Sequence, residues 1–136
     1  MIRLIIWCKP YAKYILAFWF LTIISVSSIP RIPTLKIHTA HSEIRLDYII
    51  HFCEYGFLAF MSFLTFAGKD FKLKYRRYIL ITLGLILFAV LDEYHQILIP
   101  GRAFNMKDIL YNIAGILSAA AFCVVMFKKT ATRTGK

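Results

Sequence analysis

Four long apolar runs divide this chain, and no other feature constrains its fold as much. They fall at about residues 11–29, 48–67, 78–99 and 109–127. Each holds about 19–22 residues, which at ~1.5 Å of helical rise per residue crosses a hydrocarbon core of ~30 Å. The bilayer core offers no water to hydrogen-bond the backbone, so every donor and acceptor must be paired inside the protein, and a helix does this within one segment. The predicted fold is therefore all-α: one domain over residues 1–136, built as a polytopic membrane bundle of four transmembrane helices. Composition agrees. Hydrophobic residues make up 60% of the chain, where soluble domains hold about 45–50%. The length leaves no room for a soluble catalytic domain beside the bundle.

The charge balance gives the bundle a direction. The net charge is +10, a value that elsewhere points to nucleic acid. Here the basic residues sit in short runs between apolar segments, which is how cytoplasmic loops are marked. Arg3, Lys9 and Lys13 lie in the N-terminal arm, and Lys69, Lys72, Lys74, Arg76 and Arg77 in the second loop. Lys128, Lys129, Arg133 and Lys136 lie in the tail. The first loop has Arg31, Lys36 and Arg45, and the third only Arg102 and Lys107. The expected location is the plasma membrane, with both termini and the second loop in the cytoplasm and the other two loops outside. A basic arm, an apolar run and Ser25-Val26-Ser27 also fit a cleavable signal peptide, but the run continues to Ile29, which favours a retained helix. The first loop, Pro30 to Asp47, is polar and is expected to lie along the outer surface, with Pro33 outside any helical period and His38 and His41 simply solvated. Cys8, Cys53 and Cys123 form no disulfide framework, zinc spacing or CxxC pair.

Against this apolar background the ionisable residues within the spans stand out, because such groups are costly in a membrane unless paired. Asp47, His51 and Glu54 open the second span at spacings of four and three, on one helix face. Asp92, Glu93, His95 and Gln96 close the third. Asp108 and Asn112 open the fourth, with Gly115 continuing their stripe, and Arg102 lies in the turn between. By helical rise Glu54 lies ~10 Å past Asp47 and Asp92 ~10 Å before Ile99, so three helices deliver polar groups to one outer level. Two readings of this cluster are open. It locks the three helices together, as buried polar residues do, or it forms an outward-facing cavity. In a cavity, His51, Glu54 and His95 are candidates for a metal or for acid–base chemistry. Asp92 and Glu93, about 100° apart on a helix, would not share one ion. Arg102, in the turn Pro100-Gly101-Arg102, either pairs with Asp92 or Asp108 or takes an anionic group from outside. Gly115 and Ala119 read as a close helix contact, and Phe and Tyr as the main lipid-facing residues.

The stretch from Asp92 to Gly115 resembles the signature DE..Q...PgR.....D...N..G of the VanZ-like family, with every fixed position present. The stretch Asp47 to Tyr55 is similar to that family's DK..HF..Y, except that Tyr48 stands where lysine is usual. Ala119 stands where glycine is common. The resemblance covers the second to fourth spans. It implies a small integral membrane protein of the cell envelope, in a family whose namesake is associated with teicoplanin resistance, and it supplies no mechanism.

Two functions follow as expectations. In the first, the outer cluster binds or shields an anionic amphiphile, such as a lipid-linked cell-wall precursor or a lipoglycopeptide antibiotic. The binding residues would be Asp47, His51, Glu54, Asp92, Glu93, His95, Gln96, Arg102, Asp108 and Asn112. In the second, the protein is an intramembrane enzyme on lipids or cell-wall precursors, with or without a metal, whose candidate residues are His51, Glu54, Asp92, Glu93 and His95, although no serine or cysteine has an evident base partner. Neither catalytic residues nor a cofactor or metal ligand set can be assigned from the sequence. A channel would need an oligomer and polar residues in both halves of the bilayer. The expected partners are membrane lipids, the amphiphile and, as an open option, further copies of the chain, with no nucleic acid.

Overall fold

The computed structural model describes residues 2–31, 36–39 and 42–134, and side chains within 3–31 and 46–132. Pro33 and His41 lie outside the described residues, and so do the side chains of Lys36, His38, Arg45, Arg133 and Lys136. The first span is helix α1 (Ile2–Cys8), a 3-10 turn (Lys9–Tyr11) and helix α2 (Ala12–Ser27). A short hairpin of β1 (Lys36–Thr39) and β2 (Ser42–Arg45) follows, and then α3 (Leu46–Phe66), α4 (Tyr75–Gln96) and α5 (Met106–Thr134). Four helices, Arg3–Ser27, Leu46–Phe66, Tyr75–Gln96 and Met106–Thr132, are long and apolar enough to cross a membrane. The protein is an all-helical four-span bundle. The hairpin is a small addition in the first loop, pairing Lys36 with Arg45 through to Thr39 with Ser42. Strands of four residues with one isoleucine each are too short for an alternating pattern to declare itself.

The observed helix ends differ from the apolar runs, for local reasons. The first span starts earlier, because Pro10 bends the chain into a 3-10 turn without ending the helix: it lacks only an N–H that this turn does not need. The third stops at Gln96 and not Ile99. Pro100 disfavours α geometry just before it, and the last turn tightens into Ile97→Tyr94, Leu98→His95 and Ile99→Gln96 backbone bonds. Gly101 then reverses the chain at φ 80°. Helix α5 runs past 127 through Lys128 and Lys129, whose long stems carry their charges outward while opposing the dipole at a helix C-terminus.

Helix α3 sits at the centre, against α5 above all and also against α2 and α4. Its Tyr55, Leu58, Ala59, Phe63 and Leu64 are fully buried, with Ile23, Ile116 and Cys123 around them. Lipid tails are as apolar as leucine, so close backbone approach must hold such helices together. Gly115 provides it: a Cβ there would run into the Phe52 carbonyl and come within 3.0 Å of the Gly56 nitrogen. Side chains also reach across to helix carbonyls. Lys9 Nζ donates to the Leu64 and Ala67 carbonyls at 2.6 Å each, Trp19 Nε1 to Glu54 at 3.0 Å, and Tyr78 Oη to Ala120 at 2.6 Å. The outer surface is not chiefly Phe and Tyr, as the sequence suggested. On α4 it is a leucine row, Leu80, Leu83, Leu87 and Leu91, while Tyr55 and Phe63 are internal.

The α3–α5 crossing makes a prediction. Gly115→Ala should cost about 1–3 kcal/mol, because both backbones must move apart. Gly84→Ala, where an added Cβ meets nothing within 4 Å, should stay within about 0.5 kcal/mol of wild type. Unfolding midpoints in mixed micelles titrated with SDS measure both.

Candidate functional site

Among the residues whose side chains are described, one end of the bundle, the acidic end, carries every acid except Asp70; the end with the second loop, the start of α1 and the end of α5 is the basic end. At the acidic end, α5 begins with a complete N-terminal cap. Asn105 Oδ1 accepts the Lys107 backbone N–H at 3.1 Å, and its Nδ2 donates to Asp108 Oδ1 at 3.0 Å. Asp108 is the third helical residue, where a carboxylate also meets the positive end of the helix dipole. The backbone N–H of Asn105 itself is taken by Glu93 Oε1 of α4 at 2.7 Å. A local capping box would use a glutamate of the same helix for this bond; here the glutamate comes from the neighbour and ties α4 to α5. Gln96 Nε2 donates to the other oxygen of Glu93 at 3.4 Å.

Helix α3 joins through two side chains one turn apart. His51 Nδ1 lies 3.1 Å from Asn112 Oδ1 and His51 Nε2 3.7 Å from Asp108 Oδ2. Asp108 and Asn112 are four apart and so present one face of α5 to this ring. Tyr55 Oη donates to Asp92 Oδ2 at 2.9 Å, linking α3 to α4. Asp92, Glu93, Gln96, Asp108, Asn112 and Tyr55 are all buried. Tyr48 and Tyr111 stack at 4.7 Å between ring centroids, also joining α3 to α5.

The spacing in the sequence thus brings three helices to one level, but the partners differ from those it suggested. Asp92 and Glu93 diverge, one to Tyr55 and the other to Asn105. His51 faces α5, not Glu54 and His95. His95 is half-buried and makes no side-chain hydrogen bond or ion pair among the described residues. Asp47 is half-buried one turn before His51. Arg102 pairs with neither Asp92 nor Asp108: its Nη2 donates to the Val26 and Ser27 carbonyls at 3.4 Å each, at the end of α2, and its Nε is buried without a partner. Its charge is felt by both Glu54 and Glu93. The half-buried carboxylate of Glu54 accepts no hydrogen bond among the described residues and lies in the fields of Asp92 and Arg102. No three His, Cys, Asp or Glu side chains among the described residues converge in a metal-holding group.

Two residues that matter here were not on the candidate list. Asn105 has a legible signal, an Asn three residues before an acid and ahead of an apolar run. Tyr55 is the closing tyrosine of the stretch that resembles DK..HF..Y, but nothing in that pattern says that it meets a carboxylate, and only its burial beside Asp92 shows this.

A family model described as VanZ/LLP1 matches residues 7–127. No curated protein and no solved structure matches the chain.

The Tyr55–Asp92 bond can be tested directly. Tyr55→Phe leaves a buried carboxylate short of a donor and should cost about 1–3 kcal/mol. With Asp92→Leu already present, Tyr55→Phe should cost much less, because the stranded acceptor is gone. A double-mutant cycle in the same SDS titration gives the coupling.

Proposed function

The chain belongs to the VanZ/LLP1 family, and from that premise we propose that its acidic end faces outside the cell and holds the headgroup of an outer-leaflet amphiphile. The orientation rests on the excess of Lys and Arg at the basic end. The ligand class expected from the sequence, an anionic amphiphile such as a lipid-linked cell-wall precursor or a lipoglycopeptide, is refined by the charge of the site. Four carboxylates, Glu54, Asp92, Glu93 and Asp108, belong to this end, against Arg102 and the Arg31 side chain beside Gly101, so a bare anion would be disfavoured. A headgroup that carries an anionic group beside hydroxyl or ammonium donors suits both kinds of partner.

The observation that carries this reading is a pair of unspent groups. Among the described residues, Arg102 Nε is buried with no acceptor, and the half-buried Glu54 carboxylate accepts no hydrogen bond. A ligand phosphate or carboxylate would take the Arg102 fork, whose planar geometry suits either. A ligand hydroxyl or amine would donate to Glu54. Asp92, Glu93, Gln96, Asp108 and Asn112 form the hydrogen-bonded wall behind this point, and His51, His95 and Asp47 line its approaches. No reaction step is required of any of them.

One observation favours the alternative. His51 beside Asp108 has the outline of a base oriented by a carboxylate. A catalytic role would put His51 in contact with a bound lipid or precursor as the proton acceptor.

Two measurements test these proposals. In a background without Cys8, Cys53 and Cys123, an impermeant maleimide added to intact cells should label Phe104→Cys and spare Lys72→Cys; the opposite pattern would overturn the orientation. Binding of a lipid-linked peptidoglycan precursor, and separately of teicoplanin, is then followed on protein in nanodiscs. Arg102→Ala should lose roughly 1.5–3 kcal/mol of affinity, about tenfold to hundredfold, and Glu54→Gln less, with helicity unchanged. Equal binding by wild type and Arg102→Ala sinks the headgroup reading. A precursor mass that changes with wild type but not with His51→Ala would establish the enzyme instead.

A further inference from the structure

The basic end contains a feature that the acidic end does not explain. A cavity of about 730 Å³ opens between the start of α4 and the end of α5, within the ~300–1,000 Å³ usual for small-molecule sites. Its walls are apolar and aromatic, formed by Phe71, Leu73, Tyr78, Val124 and Phe127. Lys72 and Lys128, both exposed, stand on its lining. We propose that this cavity is a specific site for one anionic phospholipid, with an acyl chain between α4 and α5 and the phosphate held by Lys72 and Lys128. It is independent of the headgroup site at the acidic end.

Position supports a lipid over a soluble ligand. Tyr75 and Tyr78 open one candidate membrane span and Thr132 closes another, with Val124 about two turns further in, so the cavity sits where acyl chain gives way to headgroup. Charge supports an anionic one. Lys69, Lys74, Arg76, Arg77 and Lys129 lie close in sequence to the two lysines, and Asp70 is the only acid of this end. Asp70 does approach Lys72, at 3.6 Å, but both are exposed, and such pairs contribute little. Basic pockets between spans on the cytoplasmic side are where anionic headgroups bind.

The construction of the wall points the same way. Phe71 has φ 57° although it is bulky and is no turn glycine, a conformation that persists only where its surroundings enforce it. The backbone bonds Gly68 N–H to Lys72 O at 2.9 Å and Phe71 N–H to Gly68 O at 3.0 Å close the loop tightly enough to do so. The result is a buried ring against Phe127, at 6.0 Å between centroids, with Lys9 Nζ 5.8 Å from its face. The loop thereby lines the cavity with an aromatic wall and leaves Lys72 exposed beside it.

Native mass spectrometry of the detergent-purified full chain, titrated with phosphatidylglycerol or phosphatidylcholine of the same acyl composition, tests the proposal. The expected result is one phosphatidylglycerol retained per chain, in clear preference to phosphatidylcholine. Lys72→Gln and Lys128→Gln should each reduce retention roughly fivefold, the effect of one basic residue at an anionic surface. Val124→Trp, which fills the cavity from an exposed position, should abolish it while the lysines remain. Two results would overturn the site: equal retention of the two lipids, or phosphatidylglycerol retention that survives Val124→Trp. Inorganic phosphate competing as well as the lipid would mean that the lysines bind an anion without the cavity, and would also overturn it. The lysine substitutions lie on exposed side chains, so their effect does not depend on refolding, and circular dichroism of each variant checks this.

Discussion

A carboxylate enclosed within a membrane bundle has no water to solvate it, and the acidic end is arranged around meeting that demand from inside the protein. Glu93 is fully buried, and the donor that serves it best is the backbone N–H of Asn105, a group that the start of α5 would otherwise leave open. One bond thus satisfies a charged side chain of α4 and an orphan donor at α5. It also fixes the short connection between them, where Pro100 and Gly101 have already turned the chain. Asp108, at the third position of α5, is bound by Asn105 and approached by His51. The charges that look expensive one at a time are each placed where another element lacks a partner.

This arrangement requires α3 and α5 to lie unusually close. The His51 ring can reach both Asp108 and Asn112 only because Gly115, a turn further along α5, lets the Phe52 and Gly56 backbone pass against it. A side chain at that point would push the helices apart and stretch the contacts above it. Packing at one depth therefore sets hydrogen-bond geometry at the next. Cavities and hydrogen bonds in a membrane bundle are not independent terms, since the hydrophobic effect does not press the helices together and contact quality alone decides their spacing.

The four spans could be read from the sequence because the bilayer imposes a length and a polarity on each, and the structure keeps all four. Their ends could not, because ends are decided by caps and by neighbours: Asn105 starts α5 earlier than its apolar run, and Pro100 stops α4 before its run is finished. The convergence of polar groups at one level was also legible, since helical rise and spacing fix both depth and face. Partner choice was not. Spacing places Asp47, His51 and Glu54 on one broad face, but the rotation of α3 between α4 and α5 separates them, so that His51 meets Asn112 while Tyr55 takes Asp92. Arg102 reads in the sequence as pairing with an acid or taking an anionic group from outside; the turn before it swings the guanidinium away from Asp92 and Asp108, toward the last carbonyls of α2. Carbonyls in the last turn of a helix carry the negative end of its dipole and attract a cation as an acid would, although that of Val26 also accepts the Ile29 N–H. Lys9, read only as a topology signal, does the same at the end of α3.

The acidic cluster separates into two parts when its partners are counted. Asp92, Glu93, Gln96 and Asp108 are each bonded to another side chain or to backbone, and their bonds run between different helices or steady one that does. That part locks α3, α4 and α5 together, as the structural reading of the sequence expected. Two groups are not used in this way. Among the described residues, the Glu54 carboxylate accepts no hydrogen bond and the buried Nε of Arg102 has no acceptor. If holding helices were the whole purpose, a direct Arg102–Glu54 pair would serve it better than the long bonds Arg102 makes to α2. Leaving the Arg102 Nε without an acceptor costs stability, because buried polar groups without partners are expensive. The headgroup proposed above would relieve that cost by supplying the acceptor that the Arg102 Nε lacks.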